Sequence, residues 1–374
     1  MKSIIFGRNA GNTLGQIRNF GEAGMKSIVV WYGNDHHKPT GSKYTAEFHE
    51  VKGIDEGIDF ILKNYAEPGK KHLLSTDNDG IVGALNQRYD ELKDYFYFFN
   101  AGENGRLTEL MPKEVLCVIA EECGLKIPKT ELVDVGVMPT KLKYPIFTKS
   151  ADSFSISWKE SASICRNEEE LAQYYKLHQS GKVLLQEYIE KKNEFVLQGV
   201  SINDGKDVFM PIQGSYYRLP DDAYGSFLHF EKNTISPDLY NQLKKMFEKI
   251  RYNGVFEIEF LQDKNDELYF LEINFRHTLW THAFTDMGVN LSRIWAEAVV
   301  SGKFLNVDIP IHEPHKLMNE LIDFKRYVVT RKMKLSDWIK DFKSADSYIF
   351  LDSKDKMPCV FYLLRVFIHR LGFI

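Results

Sequence analysis

Between Val255 and Arg276 the residues able to do chemistry fall at strand spacing. In Val255-Phe256-Glu257-Ile258-Glu259-Phe260, alternation sends Phe256, Ile258 and Phe260 to one face and both glutamates to the other. In Leu268-Tyr269-Phe270-Leu271-Glu272-Ile273-Asn274 the same rule puts Glu272 and Asn274 on one face. A polar turn, Asp263 to Glu267, joins the two strands. If that turn sets Glu259 opposite Glu272, then Glu259, Glu272 and Asn274 meet at one point. Two carboxylates and an amide oxygen are hard donors that suit Mg2+, with Mn2+ as a second candidate, and such an ion takes its other ligands from water and substrate phosphates. Arg276 follows at once as a cation beside the acidic group. A solvent-facing hairpin accounts for one glutamate more easily than for three oxygen donors set among bulky apolar residues.

The elements that must carry this hairpin can be read outward from it. At the amino end, an apolar strand from Lys2 to Phe6, a helix with Leu14, Ile17 and Phe20 at helical spacing, and a strand from Ser27 to Trp31 make a βαβ start. Gly7, Gly11 and Gly15 depart from the G-x-G-x-x-G fingerprint and no acidic residue closes the second strand, which argues against a nicotinamide site and an oxidoreductase. The strand His72 to Thr76 ends in Asp77-Asn78-Asp79-Gly80, a place for ligand contact or for a helix cap. Further on, a helix from about Pro112 to Cys123 has Val115, Val118 and Ile119 facing in, and a strand opened by Pro145 ends at Lys149. The serine-rich segment Ser150 to Trp158 and a hairpin strand to Cys165 come next. Asn167 then caps a helix through Leu171, Tyr174 and His178, and a strand runs from Val183 to Ile189. Asn203-Asp204-Gly205 marks a hairpin turn, and Ser236-Pro237 starts an amphipathic helix.

The order of these pieces resembles the ATP-grasp superfamily. A lysine on a helix (Lys113), a lysine ending a Pro-initiated strand (Lys149), the VLLQEYIE strand with Glu194 beyond it, and the EIEF…YFLEINFR hairpin carry the resemblance, which covers about residues 1 to 303. The Glu-x-Asn-x-Arg ending is similar to that of the carbamoyl phosphate synthetases, and the size to the D-alanine:D-alanine and D-aspartate ligases. The resemblance implies an α/β and α+β chain: a Rossmann-like domain to residue 105, an ATP-grasp domain over 106–303 with a small lid subdomain at about 138–190, and an extension over 304–374. It implies that Lys113 and Lys149 hold ATP phosphates, that Gln186, Glu187, Tyr188 and Ile189 form the adenine-binding hinge, and that Glu194 takes the ribose. It implies Glu259, Glu272 and Asn274 as magnesium ligands and Arg276 as the clamp on the transferring phosphate or acyl phosphate. The reaction so implied joins a small-molecule carboxylate to an amine through an acyl phosphate, on an amino acid or a cell-envelope precursor. A nucleotide-binding protein without turnover and a bicarbonate-phosphorylating carboxylase are the alternatives. Two segments depart from the family: the lid loop has serines and no glycine, and Tyr216 to Phe230 lies where relatives vary, with Arg218 a candidate for binding a substrate carboxylate.

Length and composition agree with an enzyme of this kind. A chain of 374 residues is long enough for two or three folding units with a cleft between them. A net charge of -4 provides no field to recruit nucleic acid, so no nucleic-acid partner is expected. The 4 cysteines form no CxxC pair, and the amino terminus is too short in apolar residues for a signal peptide, which points to the cytoplasm. His277 and His282 follow the metal strand as core histidines or as acceptors of the amine proton. In the tail, Val360, Leu363, Leu364, Phe367 and Leu371 share one helical face that is too short and too charged to span a membrane. That face packs on the body or makes a peripheral contact with a membrane or partner; self-association into a homo-oligomer stays open.

Overall fold

The computed structural model describes residues 1–33, 38–150, 163–177, 181–219 and 225–370, apart from the side chains of 149, 150 and 367–370. The first unit is a parallel sheet of five strands, β1 (Ser3–Gly7), β2 (Ser27–Trp31), β3 (Thr45–Glu50), β4 (His72–Thr76) and β5 (Phe96–Tyr97), in the order β3-β2-β1-β4-β5. β1, β2 and β4 are buried along their whole length, as parallel strands covered on both faces must be. β3 escapes a sequence reading because TAEFHE, at the sheet edge, has no continuous apolar run. The helix Ala10–Glu22 packs through Leu14, Ile17 and Phe20. Its glycines permit a close approach: a Cβ on Gly11 would lie 2.5 Å from Leu279 Cδ1 and 2.9 Å from Ile349 Cγ2. They serve helix packing, which explains why they miss the dinucleotide spacing.

The second unit is a small antiparallel sheet, β6 (Thr130–Asp134), β7 (Ile146–Ser150), β8 (Ser163–Cys165) and β9 (Lys182–Glu187), in the order β6-β9-β7-β8. The helix Glu168–Leu177 closes its core over Ile146, Cys165, Leu171, Val183 and Leu185. Asn167 Oδ1 accepts the Glu170 N–H at 2.9 Å, the cap the sequence implies. The sheet starts at Thr130, eight residues before the lid boundary expected from the sequence.

The third unit is a seven-stranded sheet built from β10 (Lys191–Ile202), β11 (Asp207–Tyr216), β12 (Phe227–Lys232), β13 (Gly254–Asp263), β14 (Leu268–Asn274), β15 (His315–Met318) and β16 (Ser347–Tyr348), in the order β14-β13-β10-β11-β12-β15-β16. Asn203 and Asp204 adopt φ of 55° and 56°, the left-handed pair that a tight hairpin turn requires. Two of these strands come from the tail, so residues 304–374 complete the central sheet. One core runs from Ile5 and Leu14 through Phe256 and Trp295 to Ile349 and Cys359, joining the first unit, the third unit and the tail.

In the helix Lys113–Glu122 the buried positions are Leu116 and Ala120, with Val115 and Ile119 half-buried; Val118, expected inside, is 56% exposed. The terminal helix Met357–Arg370 packs through Cys359 and Tyr362, whose ring lies 4.3 Å from that of Phe350. Val360, Leu363 and Leu364, three of the residues on its apolar face, are turned outward. Phe367 and Leu371 lie outside the described side chains, as does His178. Among the described residues no helix is long and apolar enough to cross a membrane.

Candidate active site

The hairpin β13–β14 sets Glu259 opposite Glu272 and Glu257 opposite Asn274. A register shift after Glu259 then brings Phe260 opposite Phe270, so both phenylalanines stay in the core while the acidic face converges. Asn274 Nδ2 donates to Glu259 Oε1 at 2.7 Å and to Glu257 Oε1 at 3.2 Å, and its Oδ1 accepts from Arg276 Nη2 at 3.1 Å. Lys113, the first residue of its helix, forms an ion pair with Glu272. The expected metal ligands, one phosphate lysine and the arginine therefore form one contiguous cluster.

Glu257 belongs to that cluster, although the sequence argument assigned it no ligand role. It is 3% exposed and accepts from Gln198 Nε2 and, at 3.1 Å, from Thr278 Oγ1. The signal was present: Glu257 stands two residues before Glu259 and so on the same face. Burial pushes the Glu257 carboxyl up, against the pull of Arg276 and its hydrogen bonds. Burial, and then the charges of Glu257 and Glu272, hold the Glu259 carboxyl well above the usual carboxylate range, with Lys113 and Asn274 opposing. Three carboxylates and an amide oxygen gathered on one face form a site that a divalent cation would relieve, so the donor set fits magnesium.

Arg276 reaches across to the first unit. Its Nε and Nη2 donate to the two oxygens of Asp79, each at 2.8 Å. The polar run after β4 thus divides its work. Asp77 is buried and accepts from the backbone of Arg8 and Asn9 and from the Thr13 hydroxyl. Asn78 caps the helix Asp79–Gln87, accepting from Ile81 N at 3.2 Å, and Asp79 holds the arginine. No periodicity could have paired Asp79 with Arg276.

The residues expected at the adenine and ribose lie further along the hairpin. β9 ends at Glu187; Gln186 Nε2 donates to Thr130 Oγ1 at 3.2 Å, and the Glu187 N–H donates to the Lys129 carbonyl at 2.8 Å. Tyr188 and Ile189 line a cleft of about 320 Å³ with Pro145, Asp263, Lys264 and Tyr269, where the small sheet faces the hairpin turn. Glu194 stands in β10 opposite Leu261 and pairs with Lys191 Nζ at 2.9 Å. Tyr216, missed by the sequence, links it to the acidic cluster: burial, then the charges of Glu194 and Glu259, raise its pKa. The backbone of Lys149 pairs opposite Leu184 in β7, while its side chain and the loop Ser150 to Trp158 fall outside the described residues.

The candidate role of Arg218 is corrected, and of the two readings of His277 and His282 the core one holds. Arg218 is committed internally: both oxygens of Asp323 accept from its Nη1 at 2.9 Å, Asp341 pairs with Nη2, and the guanidinium lies 4.4 Å over the Tyr327 ring. No donor geometry there calls for a substrate carboxylate. His277 is 1% exposed, contacts Thr281 Oγ1 and Ser292 Oγ, and burial pushes its pKa down to about 3, so it is a neutral core residue and no proton acceptor for an amine. His282 is likewise buried, between Asn19 and Asp352.

No protein-family model matches the chain. It is 27% identical over 322 residues to the D-aspartate ligase of Enterococcus faecium, covering 78% of this chain and 75% of that one. It is 25% identical over 168 residues to the N5-carboxyaminoimidazole ribonucleotide synthase of Staphylococcus aureus, covering 45% of this chain and 43% of the relative. Among solved structures, N5-carboxyaminoimidazole synthetase from Staphylococcus aureus superposes with a TM-score of 0.66 at 17% identity, over 88% of this chain and 86% of that one. The L-amino acid ligase from Bacillus licheniformis does so with a TM-score of 0.58 at 11% identity, over 80% and 74%. These two structural likenesses establish a shared fold.

Proposed function

We propose that this chain, which belongs to the ATP-grasp superfamily, is an ATP-dependent ligase that activates a small carboxylic acid as an acyl phosphate and couples it to an amine. The observation that carries this reading is the cluster of Glu257, Glu259, Glu272, Asn274, Arg276 and Lys113 on one hairpin and its neighbouring helix. Glu259, Glu272 and Asn274 would hold Mg2+, and Mn2+ should substitute because it accepts the same oxygen donors. When bound, the cation neutralises the phosphate oxygens of ATP. Lys113 adds a point charge at the same edge, and Arg276, whose Nε and Nη2 are held by Asp79 and Asn274, would turn its Nη1 to the transferring group. Tyr188 and Ile189 line the cleft proposed for the adenine, and Glu194, held by Lys191, would take the ribose.

The chemistry balances in two steps. A carboxylate oxygen of the acid forms a bond to the γ-phosphorus as the bond to the β-γ bridging oxygen breaks, releasing ADP. The amine nitrogen then attacks the acyl carbon, the bond from carbon to the phosphate oxygen breaks, and phosphate and one amine proton leave. Positioning and charge neutralisation suffice for this, which agrees with a site of lysine, arginine and acidic groups and requires no nucleophilic triad. The 27% identity with a D-aspartate ligase supports an amino acid as the acid component. The outward face of the terminal helix belongs to the same proposal as a peripheral membrane contact: Leu363→Asp with Leu364→Asp should abolish sedimentation with anionic vesicles.

The test is ADP and phosphate release by the full chain with Mg·ATP and a matrix of amino acids and amines, with mass detection of the amide. Glu259→Gln and Glu272→Gln should abolish release. Nucleotide binding without acid-dependent ADP release from any pair would instead support the non-catalytic reading, and release dependent on bicarbonate alone would support a carboxylase.

A further inference from the structure

Away from the hairpin, three side chains from distant parts of the chain converge. Glu22 ends the helix Ala10–Glu22, His282 lies in the helix Thr281–Asp286, and Asp352 follows Phe350 in the tail. His282 Nε2 is 3.2 Å from Asp352 Oδ2 and 3.7 Å from Glu22 Oε1, and the three donor atoms lie within 4.8 Å of one another. Four ligands about 2.0–2.1 Å from a zinc ion stand roughly 3.3–3.4 Å apart, so the imidazole is already spaced as one vertex of such a polyhedron.

Asn19 decides which imidazole nitrogen carries a proton. Its Nδ2 donates to Thr281 Oγ1 at 3.1 Å, to Ser292 Oγ at 3.3 Å and to the Thr281 carbonyl at 3.4 Å. The atom it turns to His282 Nδ1, at 3.1 Å, is therefore Oδ1, which can only accept. Nδ1 must be the protonated nitrogen, and in the neutral ring Nε2 points a bare lone pair at two carboxylate oxygens. His282 is only 7% exposed, so water does not relieve that contact. Glu22 Oε1 is itself buried and has no hydrogen-bond partner.

The surrounding charges lean the same way. Arg18 Nε lies 3.5 Å from Asp352 Oδ2 but also 3.3 Å from Asp355, and its guanidinium is committed to the carbonyls of Ile349 and Phe350. Lys354 takes the other oxygen of Glu22, at 3.0 Å, with Asp286 at 3.7 Å. Glu22, Asp286, Asp352 and Asp355 thus face two cations, Arg18 and Lys354, leaving two negative charges to balance.

We propose that Glu22, His282 and Asp352 form a binding site for a transition-metal dication of the zinc type, with Asn19 orienting the histidine from behind. The ion would clamp the first helix, the segment after the hairpin and the tail to one another. This site is separate from the hairpin cluster and does not rest on the ligase reading.

The test uses the full chain, stripped with a chelator, desalted, and titrated with Zn2+ in the absence of nucleotide. With excess Mg2+ present to occupy the hairpin, wild type and Glu259→Gln should each take up one equivalent, with a raised melting temperature. Glu22→Gln and Asp352→Asn should bind at least about tenfold more weakly. His282→Asn should lose the visible absorption that Co2+ acquires in the wild type. Should that variant not fold, the milder Glu22→Gln decides alone. Equal binding by wild type and all three variants, or loss in Glu259→Gln only, would overturn the proposal. So would absence of stoichiometric zinc, and an NMR titration showing His282 as an imidazolium would then identify the cluster as an ion pair.

Discussion

Replacing Glu320 by alanine should cost the protein about 3–5 kcal/mol, the range for removing one partner from a buried charged network. Glu320 is 3% exposed, and its carboxylate accepts three consecutive backbone N–H groups: Ile349 at 3.0 Å, Phe350 at 3.0 Å and Leu351 at 2.9 Å. From the other side, Arg18 donates to the carbonyls of Ile349 and Phe350 at 2.8 and 2.9 Å. A hydrogen bond to a charged group contributes about 1.5–3 kcal/mol, so three give a gross loss of roughly 4–9 kcal/mol. Removing the carboxylate also removes the cost of burying it, and that cost is substantial, since burial raises the Glu320 pKa even against the three donors. The net therefore falls below the gross. Urea unfolding followed by far-UV circular dichroism and tryptophan fluorescence measures the loss, and limited proteolysis should find early cleavage near residues 349–357. Glu320→Ala and Arg18→Met should combine non-additively because they grip the same two peptide units. A loss under about 1 kcal/mol with an unchanged denaturant slope would refute the view that this clamp holds the tail on the body.

Arg276→Lys should lower turnover by about 10²–10³-fold with nucleotide affinity nearly unchanged, since a lysine cannot meet both oxygens of Asp79 and still present a further N–H to developing charge; weaker nucleotide binding with unaltered turnover would contradict that role. Burial pushes the fully buried Asp77 up to about 6 from an ordinary 3.8, so its contribution to stability is fully present below the ordinary value and is lost as pH rises through 6. The stability difference between wild type and Asp77→Asn should accordingly shrink by about 3 kcal/mol from acid to neutral pH, and a difference that grows with pH would invert the assignment. His277, pushed down to about 3, should show ring proton shifts in NMR that stay flat across the neutral range; a midpoint near the ordinary histidine value would place it in contact with solvent.

Much of the site could be read from local pattern. Alternation in EIEF and YFLEIN put Glu259, Glu272 and Asn274 on one face, and the structure pairs Glu259 with Glu272 across the turn. Asn203-Asp204 and Ser236-Pro237 appear as the turn and the helix start that their chemistry dictates. Local pattern failed where no period exists to be read: the edge strand Thr45–Glu50 has no apolar run, and Val118 sits on an apolar helix whose buried stripe is set by its neighbour.

What the sequence determined by itself was the chemistry available at each short stretch, because strand and helix periods act over a few residues and fix which side chains share a face. Which stretches meet was decided by the tertiary structure. Asp79 and Arg276 are 197 residues apart, Arg18 reaches Ile349 across 331, and Arg218 finds Asp323 in a tail that the linear reading had set aside. Such pairs form because each buried charge must find a partner once burial removes water, and the partner can stand anywhere the packed sheets bring the chain back.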